Sequence, residues 1–223
     1  WDVVSVTNMS YMFAEADAFN QDISNWDVSS VTTMEDMFRE ASSFNQDIGN
    51  WDVSSVTNMS YMFSDADAFN QDISNWDIGN VTTMYKMFIN NSLSTANYDA
   101  LLTGWEAQTV QNDVKFHGGN SLYTSDADAA RQSLIDNSNW TITDGGIEIT
   151  IDGSFTASNK TYDGSGDAII SSNDLSLSGV VDGDDVNLSS EVVAFASSDV
   201  ADGITVNITS ADLTGTDANN YIL

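Results

Sequence analysis

The sequence predicts a right-handed α/β solenoid of stacked 25-residue coils over residues 1–145, followed by a small all-β, sandwich-like domain over residues 147–223. Three observations predict it. The phrase W-D-[VI]-x-x-V-T-x-M-x-x-M-F opens at Trp1, Trp26, Trp51 and Trp76, a period of 25. Within one period the apolar spacing changes from alternation to intervals of three and four. From Ile147 onward the helical spacing disappears, and short β-type runs separated by Gly- and Asp-rich turns take over.

In one period, Ile23, Trp26 and Val28 read L-x-x-L-x-L, with the last two alternating as in a strand. Val31, Met34, Met37, Phe38 and Ala41 then recur as on a helix face. Ser29 or Ser30 stands where an N-cap is wanted, and Glu35 lies in the first turn, where the helix dipole favours an acid. The expected coil is therefore one strand and one short helix, a leucine-rich-repeat-like plan. One coil cannot cover its own apolar stripe, so neighbours must stack. All eight methionines fall in the four copies, and a Met and Phe stripe at this periodicity reads as core, not as a cofactor box. From about residue 89 the strict repeat decays into two irregular coils. Tyr98, Leu101, Leu102 and Trp105 carry helical spacing, as does the segment from Ala127 to Ile135, while Val114 with Phe116 and Trp140 with Ile142 alternate.

The β-type runs of the C-terminal part are Ile147 to Ile151, Ala168 to Ile170, Leu175 to Leu177, Val192 to Phe195 and Thr205 to Ile208. They read as a small all-β domain.

Charge narrows the function. There are 34 acidic and 5 basic residues, a net charge of -29, and no phosphate-neutralising stripe, so neither nucleic acid nor an anionic membrane is an expected partner. No apolar run approaches the roughly 18 residues of a membrane span. Cysteine is absent, which rules out a disulfide framework and thiolate metal sites. Trp1 begins in mid-pattern, so a fragment of a longer protein is expected.

Asp2, Asp27, Asp52 and Asp77 each follow the repeat Trp, and stacking in register would make them a ladder on the strand face. A second file, Asp22, Asp47 and Asp72, sits just before each Ile of the phrase Asn-Gln-Asp-Ile. Paired carboxylates can hydrolyse glycosides, but a catalytic pair needs two unlike environments and a repeat supplies nearly identical ones. An enzyme is not expected. The ladder reads either as a structural, solvated feature or as a ligand-binding surface, in which Asp27, Asp52 and Asp77 act with the neighbouring Asn25, Asn50 and Asn75. His117, the one histidine, is accompanied by no nucleophile signature and is expected on the exposed strand face beside Lys115. Threonine files at Thr7, Thr32, Thr57 and Thr82 begin the expected helices and so do not suit ice binding. No cofactor is expected to be required. The acid-glycine turns at Asp163 and Asp167, and at Asp182, Asp184 and Asp185, read either as polar β-turns or as calcium sites.

The phrase F-N-Q-D-I-x-N-W-D-V-S-S-V-T-N-M resembles the repeat of the BspA-like bacterial surface leucine-rich-repeat family. K-T-Y-D-G at residues 160–164, L-S-G-V-V-D-G-D-D-V at 177–186 and the final N-Y-I-L resemble the YDG domain of bacterial surface proteins. These resemblances imply an extracellular location on the bacterial cell surface. They also imply a protein or glycan on a host cell or other surface as partner, with neighbouring domains of the same adhesin around the fragment. The expected function is an adhesion module binding through the repeat face. The alternative is a purely structural spacer with no ligand of its own.

Overall fold

The structure is a computed structural model, and it describes residues 1–223 apart from Val200 and Asp202. The chain divides into two compact units, Trp1–Ile147 and Glu148–Leu223.

The 25-residue period produces stacked copies of one chain path, but not the expected α/β leucine-rich-repeat solenoid. Residues 1–94 contain no helix and no extended strand. The two α-helices among the described residues, α1 (Thr95–Glu106) and α2 (Ser125–Ser138), both lie beyond the regular repeats. The segment read as a helix is a run of consecutive tight turns. In the second copy the N–H groups of Met37, Arg39 and Ala41 donate three residues back, to Met34, Asp36 and Phe38. Those of Met34, Asp36, Phe38 and Glu40 donate to the next copy, to the carbonyls of Asn58, Ser60, Met62 and Ser64 at 2.8 to 3.0 Å. Alternate amides therefore leave the segment, whereas a helix would keep them all within it.

That path needs a left-handed residue in alternate turns. Asp36 and Glu40 have φ of 56° and 60°, and the equivalents Tyr11 and Glu15, Tyr61 and Asp65, and Lys86 and Asn90 lie between 55° and 61°. A non-glycine residue there costs on the order of 1 kcal/mol or more. The hydrogen bonds to the neighbouring copy offset that cost, so the conformation exists only because the copies stack. The spacing of Met34, Met37, Phe38 and Ala41 is a turn spacing that imitates a helical one. Ser29, expected as an N-cap, instead donates to Asp27, and Glu35 lies in no helical turn.

Register between copies is fixed by parallel bridges linking Asn8, Thr33, Asn58 and Thr83. Inside, Val31, Met34, Met37, Phe38, Ala41 and Phe44 are fully buried with their equivalents one copy on, and each Val, Met and Phe among them contributes roughly 1.5–3 kcal/mol. Seven of the eight methionines are core; Met12 is half-buried. Phe38 stacks on Phe44 within its copy at 4.0 Å, and on Phe13 and Phe63 of the flanking copies at 5.6 and 5.7 Å, so the rings form two continuous columns.

After residue 94 helices do form. Helix α1 is capped by Ser94, whose hydroxyl accepts the N–H of Asn97, and it buries Tyr98, Leu101, Leu102 and Trp105. Helix α2 is capped by Thr124 and ends at Asn139 in the left-handed conformation. Strand β1 (Lys115–His117) and strand β2 (Leu122–Tyr123) separate the helices, and β3 (Thr141–Thr143) and β4 (Gly146–Glu148) follow α2. Strands β1 and β3 pair in parallel, as do β2 and β4 at Leu122 with Gly146 and Tyr123 with Ile147. Gly119 is required between β1 and β2. Its φ is +72°, and a Cβ there would lie 2.1 Å from the carbonyl oxygen of Asn91.

The second unit holds β5 (Thr150–Asp152), β6 (Phe155–Ala157), β7 (Ile170–Asn173), β8 (Ser176–Ser178), β9 (Asn187–Phe195), β10 (Val206–Thr214) and β11 (Tyr221–Ile222). The expected sandwich is not formed. Strands β5 with β8, β6 with β7, and β9 with β10 make separate antiparallel two-stranded ladders, not two facing sheets. Strands β6 and β11 carried no β-type run in the sequence reading. Few side chains are buried among the described residues of this unit, chiefly Ile149, Val193 and Tyr221.

Candidate functional site

The file after each repeat Trp lies in turns and not on a strand. Oδ1 of Asp27, Asp52 and Asp77 accepts the backbone N–H two residues on, from Ser29, Ser54 and Gly79, at 3.0 to 3.1 Å. The hydroxyls of Ser29 and Ser54 add bonds of 2.6 Å to the same oxygens. These are Asx-turns, in which a short carboxylate imitates a backbone carbonyl. Asp22, Asp47 and Asp72 make the same contact with Ser24, Gly49 and Ser74. The serine hydroxyls first, and then the serine amides, hold the carboxyls of Asp22, Asp27 and Asp52 below the usual aspartate range. They stay ionised at neutral pH.

All three of Asp27, Asp52 and Asp77 are exposed, as are Asn25, Asn50 and Asn75, so the structure presents the six in one repeating surface file. The file ends in a concavity of 500 Å³ lined by Ser74, Asn75, Asp77, Gly104, Gln108 and Thr109. Helix α1 supplies its far wall. Gly104 allows the close approach, since a Cβ there would lie 2.5 Å from the carbonyl of Ser74. Gln108 fixes the wall by accepting the N–H of Ile78 at 3.0 Å and donating to the carbonyl of Trp76 at 2.9 Å. Amide, hydroxyl and carboxylate groups lie in its walls beside an equal share of apolar surface, and they can hydrogen-bond a polar ligand.

The acid-glycine turns of the second unit are tied into their loops. Asp163 accepts the N–H of Ser165 and pairs with Lys160 at 2.9 Å, and these contacts, the Ser165 amide first, lower its pKa to about 2. Asp167 accepts the Ser165 hydroxyl at 3.2 Å. Asp184 accepts the Tyr221 hydroxyl at 2.7 Å, which in turn accepts the N–H of Val181. Asp185 accepts from Asn187 and from the N–H of Thr216, and Asp182 is exposed in the intervening turn. Among the described residues no three His, Cys, Asp or Glu side chains are gathered as a metal ion would require.

Two polar devices escaped the sequence reading. The Asn of each Phe-Asn-Gln-Asp phrase joins adjacent copies: Asn45 N–H donates to Oδ1 of Asn20 at 3.0 Å, and Gln46 Nε2 donates to the same oxygen at 2.8 Å. Recurrence of Asn-Gln after Phe19, Phe44 and Phe69 was the signal. The other lies among the irregular coils, where Arg131 grips the buried carboxylate of Asp144 with two nitrogens at 2.8 and 3.2 Å and Tyr98 donates to it at 2.9 Å. Burial, then the Asp144 charge, pushes the Tyr98 phenol well above its ordinary value, keeping it a donor. Nothing in the sequence spacing linked these three. His117, expected on an open face, is half-buried, and its Nδ1 accepts the N–H of Gly119 at 3.1 Å.

Residues 1–105 match the family model described as Mycoplasma protein of unknown function, DUF285, and residues 147–223 match that of the YDG domain. No curated protein and no solved structure matches the chain. The two matches support a surface-associated protein with a YDG domain. Neither carries the leucine-rich-repeat part of the resemblance. Among the described residues no helix is long and apolar enough to cross a membrane.

Proposed function

We propose that the chain is a non-catalytic binding module of a bacterial cell-surface adhesin, working outside the cell and taking a protein or glycan ligand along the repeat surface. The observation that carries this reading is the exposed file of Asp27, Asp52 and Asp77 with Asn25, Asn50 and Asn75, repeated in register and opening into the concavity beside α1. Repeat proteins use such extended, regular surfaces for partners too large for one pocket. The acidic excess suits an environment of high ionic strength, and the aspartate turns offer the hard oxygen ligands that a cation such as calcium would take.

A structural spacer is the second reading, favoured by the fact that the same carboxylates are engaged in their own turns. The test separates the two. The full chain and a triple variant, Asp27→Asn, Asp52→Asn and Asp77→Asn, are applied to arrays of host-surface glycans and proteins. Asparagine keeps the Asx-turn acceptor and removes only the charge. Adhesion through the file requires a reproducible hit that weakens in the variant, and the spacer reading requires none.

A further inference from the structure

Three of the five Lys and Arg side chains are engaged by carboxylates: Arg39 by Glu15, Asp36 and Glu40, Arg131 by Asp144, and Lys160 by Asp163. Lys86 and Lys115 form no ion pair with the described residues, in a chain whose net charge is -29. The fold runs the backbone segments that carry these two cations alongside each other. Met84 N–H donates to the carbonyl of Lys115 at 3.3 Å and Phe88 N–H to that of His117 at 3.1 Å, so Tyr85 and Lys86 run alongside β1. In β1, Phe116 points into the core, leaving Lys115 exposed and His117 half-buried on the other side.

Lys86 is held in place. Its left-handed backbone, with φ of 55°, turns the side chain out, and its Nζ lies 5.7 Å from the ring centre of Tyr61 and 5.5 Å from that of Tyr85. The two rings meet edge to face at 5.6 Å, and Tyr85 is 45% exposed. Burial and then the Lys86 charge depress the pKa of His117. With Nδ1 accepting from Gly119, the neutral ring carries its proton on Nε2, where it is a donor.

We propose that Tyr61, Tyr85, Lys86, Lys115 and His117 form a second binding site, for a saccharide carrying a single carboxylate. The exposed Tyr85 ring packs against the C–H groups of a sugar ring, Tyr61 holds Lys86 and the edge of Tyr85 in place, the lysines take the carboxylate, and His117 Nε2–H donates to a sugar oxygen. A single charge matters. A polyanion reaches past the two lysines and comes within a Debye length, about 8 Å, of the surrounding acidic surface, so what it gains at the lysines it loses to repulsion elsewhere. An acidic peptide brings several carboxylates and no apolar ring face for the tyrosines. The carboxylate of a sialic acid and that of a uronic acid offer the same chemistry here. This site does not rest on the reading of the Asp and Asn file, and either can fail without the other.

The test is an amide NMR titration of the full chain with four probes: 3′-sialyllactose, a glucuronic-acid-capped xylotriose, and their neutral counterparts lactose and xylotriose. At least one acidic probe is expected to shift the amides of Tyr85, Lys86, Lys115 and His117, and which one does so identifies the source of the carboxylate. Its neutral counterpart should bind at least about tenfold more weakly. Raising sodium chloride from about 50 to 500 mM should weaken the acidic probe and leave the neutral one unchanged. Lys86→Met with Lys115→Met should abolish the shifts; Lys115→Met alone, at an exposed position where folding is not in question, should weaken binding several-fold. Equal binding of neutral and acidic sugars, shifts confined to other residues, tighter binding of hexaglutamate, or no shift with either acidic probe at about 10 mM would each overturn the proposal.

Discussion

Oδ1 of Asn45 accepts the backbone N–H of Asn70, one copy further on, at 2.9 Å. The same oxygen accepts Nε2 of Gln71 at 2.7 Å, and at the end of the file Asn70 Oδ1 accepts from the N–H of Ser94 and from Nδ2 of Asn97. The amide file thus continues from the repeats onto the first turn of α1. Asn45→Leu should destabilise the first unit by about 1–3 kcal/mol, since it leaves a backbone amide and a glutamine donor without their acceptor. Asn45→Asp keeps an acceptor and should cost less. Denaturant unfolding of both variants measures the difference, and equal stability would mean that the file does not lock the copies.

Met37 is fully buried in the stacked core. Met37→Asp places a carboxyl there without a partner and should abolish the cooperative unfolding transition of the first unit, whereas Met37→Leu should cost less than about 1.5 kcal/mol. Thermal melts followed by near-ultraviolet circular dichroism report the outcome. A shift of only a degree or two for Met37→Asp would contradict the stacked core.

The carboxyl of Asp52 is held below the usual aspartate value by the Ser54 hydroxyl and then by the Ser54 amide. A folded-state pKa below the unfolded one gives stability that is fully present above the unfolded value of about 3.9 and is lost as pH falls through the folded value. The first unit should therefore weaken below about pH 4. A carboxyl-detected NMR titration should place Asp52 below ordinary aspartate, and Ser54→Ala should raise it. An unchanged midpoint in Ser54→Ala would remove the hydroxyl as the main cause.

Arg131 and Asp144 form a buried pair, with 3% of the Asp144 side chain exposed. Arg131→Met strands a carboxylate that Tyr98 alone still contacts, and should cost about 3–5 kcal/mol. Replacing both, with Arg131→Met and Asp144→Asn, should recover part of the loss. If the double variant proved no more stable than Arg131→Met, the penalty would not arise from the stranded charge.

Sequence alone determined the period, the identity of the core and the helices beyond the repeat. Met37, Phe38 and Phe44 recur every 25 residues because only stacking hides them, and Tyr98, Leu101, Leu102 and Trp105 lie on the buried side of a real helix with a serine cap. Tertiary structure decided the conformation of the repeat. Val31, Met34, Met37 and Phe38 satisfy a helical spacing and a run of tight turns equally well, and local preference favours the helix because Asp36 and Glu40 pay a steric cost in the left-handed region. The balance is tipped by hydrogen bonds from Asp36 to Ser60 and from Glu40 to Ser64, which do not exist until the next copy is in place. The same limit applies to the surface. A sequence shows that Asp27, Asp52 and Asp77 share a register, but the Asx-turns that engage them and the approach of Lys86 to Lys115 and His117 depend on how one coil lies against another.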